Sequence, residues 1–313
     1  MRSSKSHNQA IRMIVVMAVA AIMLASCNIP TPAPKPTSAP TPTPVPLVFD
    51  GQRAFHHVVV QCDFGFRPTG SEGWQATGDY ITAVLQDSGW VVEVQEFHYQ
   101  GTLVRNIIGR SLTGPQDTDE GPPVVILGAH YDTRRSADME DPSVPVMGAN
   151  DGASGVAVLL ELARTLEQDK LQSDVWLAFF DAEDNGRLDG WDWCVGSSYM
   201  AENLAIVPEG VVVVDMVGDA DQQLYLERNS DAELQAQIWD VAADLGYTGW
   251  FVSEYKYAIY DDHIPFAQRG IRAVDIIDFD YPYWHTTQDT IDKVSADSLG
   301  RVGHVLEVWL EGP

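Results

Sequence analysis

The sequence predicts an α/β fold, a three-layer α/β/α sandwich around a mostly parallel mixed sheet. Three observations carry that expectation. "PPVVILGAH", "DVWLAFF" and "GVVVVD" are continuous apolar runs, as in strands buried on both faces. Segments with helical apolar spacing lie between and around them. Each run also stops at a polar, metal-competent side chain, and open α/β sheets bind their ligands beyond the carboxyl ends of such strands.

The N-terminus stands apart from this pattern. Arg2, Lys5 and Arg12 precede "MIVVMAVAAIMLAS", an apolar stretch too short and one-sided for a membrane span. It ends in "LASC", which looks like a bacterial lipoprotein box. The resemblance implies a signal peptide over 1–26, cleavage before Cys27 and acylation of its sulfur. Loss of three basic residues would take the net charge from −26 to −29. Residues 27–47 then read as a Pro/Thr-rich tether, too rich in proline to pack a core and suited to extended polyproline II. The implied location is the extracytoplasmic face of a membrane, held by the lipid anchor.

The domain is expected over 48–313. "SEGWQATGDYITAVLQDSG" predicts a helix with Ser71 as N-cap and Gly89 closing it. "WVVEVQEFHY" and "LVRNIIGRSL" predict strands joined by a Gln100–Gly101 turn. After "PPVVILGAH", the segment "SGVAVLLELARTLEQ" puts Val156, Leu159, Leu160, Ala163 and Leu166 on one helical stripe. "DAELQAQIWDVAADLG" and "SADSLGRVGHVLEVWLEG" predict two further helices, and "IRAVDIID" another strand. Cys62 and Cys194 lie in a domain expected to be exported, so they either pair or remain as two buried thiols.

Charge and site chemistry narrow the function. A net charge of −26 argues against nucleic acid or anionic lipid as a ligand. "GAHYD" ends a strand with His130 and places Asp132 two residues on, on the same face of an extended segment. A nearby carboxylate commonly orients a metal-binding histidine. Asp151 sits between glycines in "GANDGASG", where a helix cap or turn is the simpler alternative. "FFDAEDNG" drives Asp181, Glu183 and Asp184 into the mouth of a buried strand, which is costly without a cation. Strand alternation would point Glu183 and Asp184 to opposite faces, with Asp181 bracing the turn. Asp215 ends "VVVVD", and Asp261 precedes "DHIPF". "YPYWHTTQDT" surrounds His285 with Tyr283 and Trp284, as in the wall of a substrate pocket. Histidine with several carboxylates, and no cysteine among them, suits a catalytic zinc better than magnesium or calcium.

The ordered motifs "GAHYDT", "GANDGASGVAVLLELAR", "FFDAEDNG", "VVDMVGD", "DDHIPF" and "WHTTQDT" resemble the zinc aminopeptidase and glutaminyl cyclase superfamily, the zinc exopeptidase fold. The resemblance covers nearly everything from Phe64 to Leu310, including "FGFRPTGS". It implies Asp151, Asp184 and His285 as ligands of one zinc, with His130 and Asp215 as ligands of a possible second. It implies Asp132 behind His130, and Glu183 as general base or acid. It implies Asp261 in a proton network with Asp215 and Glu183, and Trp284 with Tyr283 around the substrate. Two-zinc aminopeptidases usually carry Glu at position 184, so the shorter Asp184 departs from their pattern. That residue, "WCVGSSY" and Trp284 are similar to bacterial glutaminyl cyclases. The implied activity is cyclisation of N-terminal Gln on peptides or proteins to pyroglutamate with loss of ammonia. Hydrolysis of N-terminal residues by a zinc aminopeptidase is the alternative. A tethered lipoprotein that only captures peptide N-termini is a third reading; it would be expected to lack Glu183 or a ligand, and none is lost.

Overall fold

The computed structural model describes residues 48–111, 123–171 and 173–312. The expected signal segment at 1–26, Cys27 and the tether to 47 lie outside the described residues. No helix among the described residues is long and apolar enough to cross a membrane.

The strands, in chain order, are β1 (Val91–Tyr99), β2 (Thr102–Arg110), β3 (Val124–His130), β4 (Asp174–Phe180), β5 (Gly210–Asp215), β6 (Leu224–Leu226), β7 (Phe251–Tyr255) and β8 (Ala273–Ile277). Six of them form one sheet in the order β1-β2-β4-β3-β5-β8. The β4-β3-β5-β8 part is parallel, and β1 and β2 complete it as an antiparallel hairpin. The hairpin turn is the expected Gln100–Gly101, with φ of 46° and 82°. Paired positive φ values match the right-handed twist of the flanking strands. The sheet is therefore mixed and mostly parallel, as the apolar runs predicted.

The helices are α1 (Gly51–Asp63), α2 (Glu72–Asp87), α3 (Ala153–Thr165), α4 (Val195–Asn203), α5 (Ala232–Asp244), α6 (His263–Ala267) and α7 (Ala296–Glu311). Alternate residues of the central strands separate two cores. Val125, Leu127, Leu177, Phe179, Val212 and Val214 pack with α1, α2, α3, α5 and α7. Ile126, Trp176, Ala178, Phe180, Val211 and Val213 pack with Met200 of α4 and Phe266 of α6. Each fully buried Leu or Val contributes about 1.5–3 kcal/mol, so the five-helix face supplies the larger part of the apolar burial. Ser71 caps α2 by accepting from the Trp74 N–H, as its position predicted.

Two expectations change in detail. The α3 stripe is in fact a helix buried almost all round, including Ser154, Gly155 and Glu161, and Leu166 is its C-cap. Such burial suits a helix clamped between sheet and neighbouring helices. The cysteines do not pair: Cys62 and Cys194 are both free and buried.

Candidate active site

The parallel strands deliver their last residues to one edge of the sheet. His130 ends β3 and Asp215 ends β5. Glu183 and Asp184, however, lie three and four residues beyond the end of β4 at Phe180. Strand alternation therefore does not separate them. Ala182 takes a left-handed φ of 57°, which breaks the strand before the two acids. Asp132 then holds the turn: Oδ1 accepts the Glu183 N–H at 3.0 Å, and Oδ2 accepts those of Asp184 at 3.3 Å and the Asn185 amide at 3.1 Å. Asp181 braces the same turn, accepting from Thr69 Oγ1 at 2.8 Å and the Arg105 N–H at 2.8 Å.

Asp151 is not a helix cap. Gly152 occupies that position and no side chain caps α3. Gly152 has a φ of 98°, and a Cβ there would lie 2.8 Å from the Asp132 carbonyl oxygen. Asp289 accepts the Asn150 and Asp151 N–H groups at 2.9 and 3.1 Å, and the Tyr281 hydroxyl at 2.7 Å. Those bonds fix Asp151 with its carboxylate turned into the site.

Two groups of ligand-competent atoms meet at Asp151. In one, Asp151, Asp184 and His285 bring a ligand atom each within 4.8 Å of the others. His285 Nε2 is 3.0 Å from Asp184 Oδ1 and 3.8 Å from Asp151 Oδ2. Asp151 Oδ2 and Asp184 Oδ2 are buried without a hydrogen-bond partner. Two unpartnered carboxylate oxygens beside an imidazole nitrogen fit zinc, whose ligands are such N and O donors. In the other group, His130 Nε2 lies 3.1 Å from both Asp151 Oδ1 and Asp215 Oδ1, so one ring nitrogen faces two carboxylate oxygens at once. Asp132 lies 3.6 Å behind the opposite nitrogen of His130.

The electrostatics follow from burial. Burial pushes Asp184 up to about 6, reinforced by the Asp151 charge and partly offset by His285. Asp215 is pushed by burial to about 7 against the opposing pull of His130. Burial holds Glu183 well above the ordinary carboxylate range, and Asp184, Asp261 and Asp262 add to the effect. Asp261 is also raised, chiefly by burial. Burial would raise Asp151 as well, but the hydrogen bond and charge of His130 outweigh it and leave the acid lowered. His130 loses solvation, yet Asp215, Asp132 and Asp151 raise it well above its usual value. Acids raised by burial in this way are candidates for proton transfer.

A cleft of about 280 Å³ opens over these groups. Glu183, Asp215 and Asp261 lie on its acidic side, while Trp193, Tyr257, Ile259, Phe279 and Trp284 supply an apolar wall. Trp284 stacks on His285 with centroids 3.7 Å apart and planes at 24°. Tyr283 does not line the cleft. Its ring stands edge-on to Tyr281 and beneath the Lys293 ammonium.

Several contributors escaped the sequence reading. Asp138 meets His285 Nδ1 at 3.4 Å, and its carboxyl is held below the usual range by hydrogen bonds from Arg134. Arg134 also donates to the Asp184 carbonyl at 2.9 Å and lies over the Trp193 ring. Asp138 belongs to "ADMED", which reads as solvated acids, so no local signal marks it. Asp289 was visible only as part of "TTQDT", and Trp193 as part of "WCVGSSY".

Comparison with known proteins adds relatives to this geometry. Residues 106–310 match peptidase family M28. The chain is 26% identical over 303 residues to the glutaminyl-peptide cyclotransferase of Boiga irregularis, covering 83% of this chain and 79% of that protein. Its structure is similar to the glutaminyl cyclase of Bacteroides thetaiotaomicron bound to N-acetylhistamine, with 31% identity, 85% and 99% of the two chains covered, and a TM-score of 0.77. A Zn-dependent exopeptidase from Parabacteroides distasonis is similar at 32% identity, 85% and 99% coverage, and a TM-score of 0.77.

Proposed function

The chain belongs to peptidase family M28, and from that premise we propose that it is a zinc-dependent glutaminyl-peptide cyclotransferase. The substrate is a peptide or protein with an N-terminal Gln, and the products are the pyroglutamyl chain and ammonia. The observation that carries this reading is the cleft lined both by Trp284, stacked on His285, and by buried Glu183. Relatives with the cyclase name cover most of the chain.

Asp151, Asp184 and His285 would hold one zinc, whose chemical contribution is Lewis acidity toward the γ-carboxamide oxygen. The chain's own residues do the rest. Trp284 and Phe279 offer an apolar wall for the glutamine side chain. Glu183 accepts a proton from the substrate's α-amine and delivers it to the departing amide nitrogen, which leaves as ammonia. The α-nitrogen bonds to the amide carbon as the carbon–nitrogen bond of the carboxamide breaks. Ring closure is intramolecular, so holding the substrate folded supplies part of the rate through effective molarity. Asp261, which brings a carboxylate oxygen within 4.8 Å of one of Glu183, and Asp215, on the same cleft, complete the proton network.

The His130–Asp151–Asp215 group supports hydrolysis of N-terminal residues as a second reading, since it would hold a second zinc beside the first. We favour one zinc, because Asp151 Oδ2 and Asp184 Oδ2 are buried without a partner beside His285, whereas Asp215 Oδ1 already accepts the Met216 N–H. The deciding experiment offers the protein a Gln-initiated peptide and a Leu-initiated chromogenic amide, with zinc counted by elemental analysis. Ammonia with pyroglutamate from the first supports the cyclase; amine release from the second supports the peptidase.

We also propose that the chain is exported and anchored to a membrane by acylation of Cys27, on the strength of "LASC" and the tether. Incorporation of labelled palmitate that persists in Cys27→Ser would refute this.

A further inference from the structure

Behind the cleft, three side chains from separate parts of the chain converge. Glu183 comes from the turn after β4, Cys194 from the N-cap of α4, and Asp261 from the segment before α6. A carboxylate oxygen from each acid and the sulfur all lie within 4.8 Å of one another. Cys194 donates its thiol to Glu183 Oε1 at 3.4 Å, and its N–H donates to the Glu183 carbonyl at 3.1 Å. Asp261 Oδ1 accepts the Asp262 N–H, while its Oδ2 is buried with no partner. Asp261 is 4% exposed, so that oxygen gains little from water.

We propose that Glu183, Cys194 and Asp261 form an inhibitory binding site for a thiophilic divalent cation such as zinc, separate from the Asp151–Asp184–His285 group. Zn–O bonds of about 2.0 Å and Zn–S bonds of about 2.3 Å put tetrahedral ligand atoms roughly 3.5 Å apart. The sulfur and Glu183 Oε1 already have that spacing. Three protein ligands with an open position suffice for zinc, and a thiolate selects zinc, cobalt or cadmium over magnesium or calcium.

The cleft gives a route in, since Glu183 and Asp261 both line it. A divalent cation there would also offset the crowded charges of Glu183, Asp261 and Asp262. Binding displaces the thiol proton to solvent. Burial, with the Glu183 charge, holds that thiol well above its usual range. The site therefore fills at excess metal, and more readily as pH rises. Once Glu183 Oε1 is a ligand, the carboxylate no longer carries a proton. This consequence rests on the proposed role of Glu183, whereas the cation site itself does not.

Cobalt tests the site, because sulfur bound to cobalt gives a near-ultraviolet charge-transfer band and neither of the two groups at Asp151 contains sulfur. The chain has three cysteines. Full-length protein with Cys27→Ser and Cys62→Ala leaves Cys194 as the sole thiol. Titration should produce the band, saturating at one cobalt beyond the equivalent that fills the first group. Turnover of a Gln-initiated peptide should fall in step with it. Adding Cys194→Ser should remove the band and abolish the fall in turnover between limiting and excess metal. Cys194→Ala serves the same purpose if the serine variant does not fold. No band in the folded protein overturns the site, and a band without loss of turnover overturns its inhibitory role. A band in protein that never converts Gln-peptides supports the site and overturns the cyclase reading; normal turnover with no band does the reverse.

Discussion

Asp138 faces Nδ1 of His285 at 3.4 Å, on the ring edge opposite the carboxylates of the site. Arg134 pins Asp138 with two hydrogen bonds of 2.7 Å, so the acid keeps its place although about one third exposed. A metal-binding histidine commonly donates its second ring N–H to such a carboxylate, which fixes the tautomer and raises the basicity of the ligating nitrogen. Asp138→Ala should therefore weaken zinc retention roughly 10- to 100-fold. Metal content across a series of chelator-buffered zinc concentrations checks this. Retention equal to wild type would make Asp138 merely a partner for Arg134.

Glu183→Gln is expected to abolish turnover while zinc stays bound. Its backbone N–H would still reach Asp132, so the turn that presents Asp184 should persist. The amide cannot accept the proton that the reaction must move, and losses of general-base function are commonly about 10²- to 10⁴-fold. Turnover and bound zinc measured on one sample decide it. Retained activity would assign the proton transfer to another acid.

Trp284→Ala should lower kcat/KM for Gln-initiated peptides by about 10-fold or more, the scale of losing an aromatic contact and its buried area. Zinc content should change little, because Trp193 and Asp138 still flank His285. An unaltered kcat/KM would remove Trp284 from the substrate wall and weaken the cyclase reading with it.

The sheet was legible because its strands are long apolar runs whose ends carry chemistry. His130 and Asp215 sit at strand ends where the pattern placed them. Helix α1 and the short β6–β7 pair were not foreseen. "GQRAFHHVVVQCD" mixes polar residues into its apolar face, and β6 has only three residues. The site was legible as a set of residue types but not as a geometry. Nothing local shows that Ala182 turns left-handed before Glu183, or that Asp132 clamps both acids from the loop after β3. Asp138 was invisible for the same reason: its role comes from a loop folding back on His285, a contact between positions 147 residues apart.

Asp181 ties the loop at Thr69 to β2 beneath the two site acids, and its titration should appear in the stability of the fold. Burial, helped by the Asp132 charge, raises its carboxyl to about 8 in the folded state. In the unfolded chain it titrates near ~3.9. Below about pH 4 both states hold the proton, so Asp181 contributes no pH dependence there. Between about 4 and 8 the folded state keeps a proton that the unfolded state has lost, and stability falls as pH rises. Above that window both states are ionised and the full penalty remains. Asp181→Asn lacks this titration while keeping one acceptor oxygen. The melting temperature of the wild type, relative to that of the variant, should therefore decline between about pH 5 and pH 8. A constant difference across that range would mean that Asp181 is already ionised in the fold, with Thr69 and the Arg105 N–H outweighing its burial.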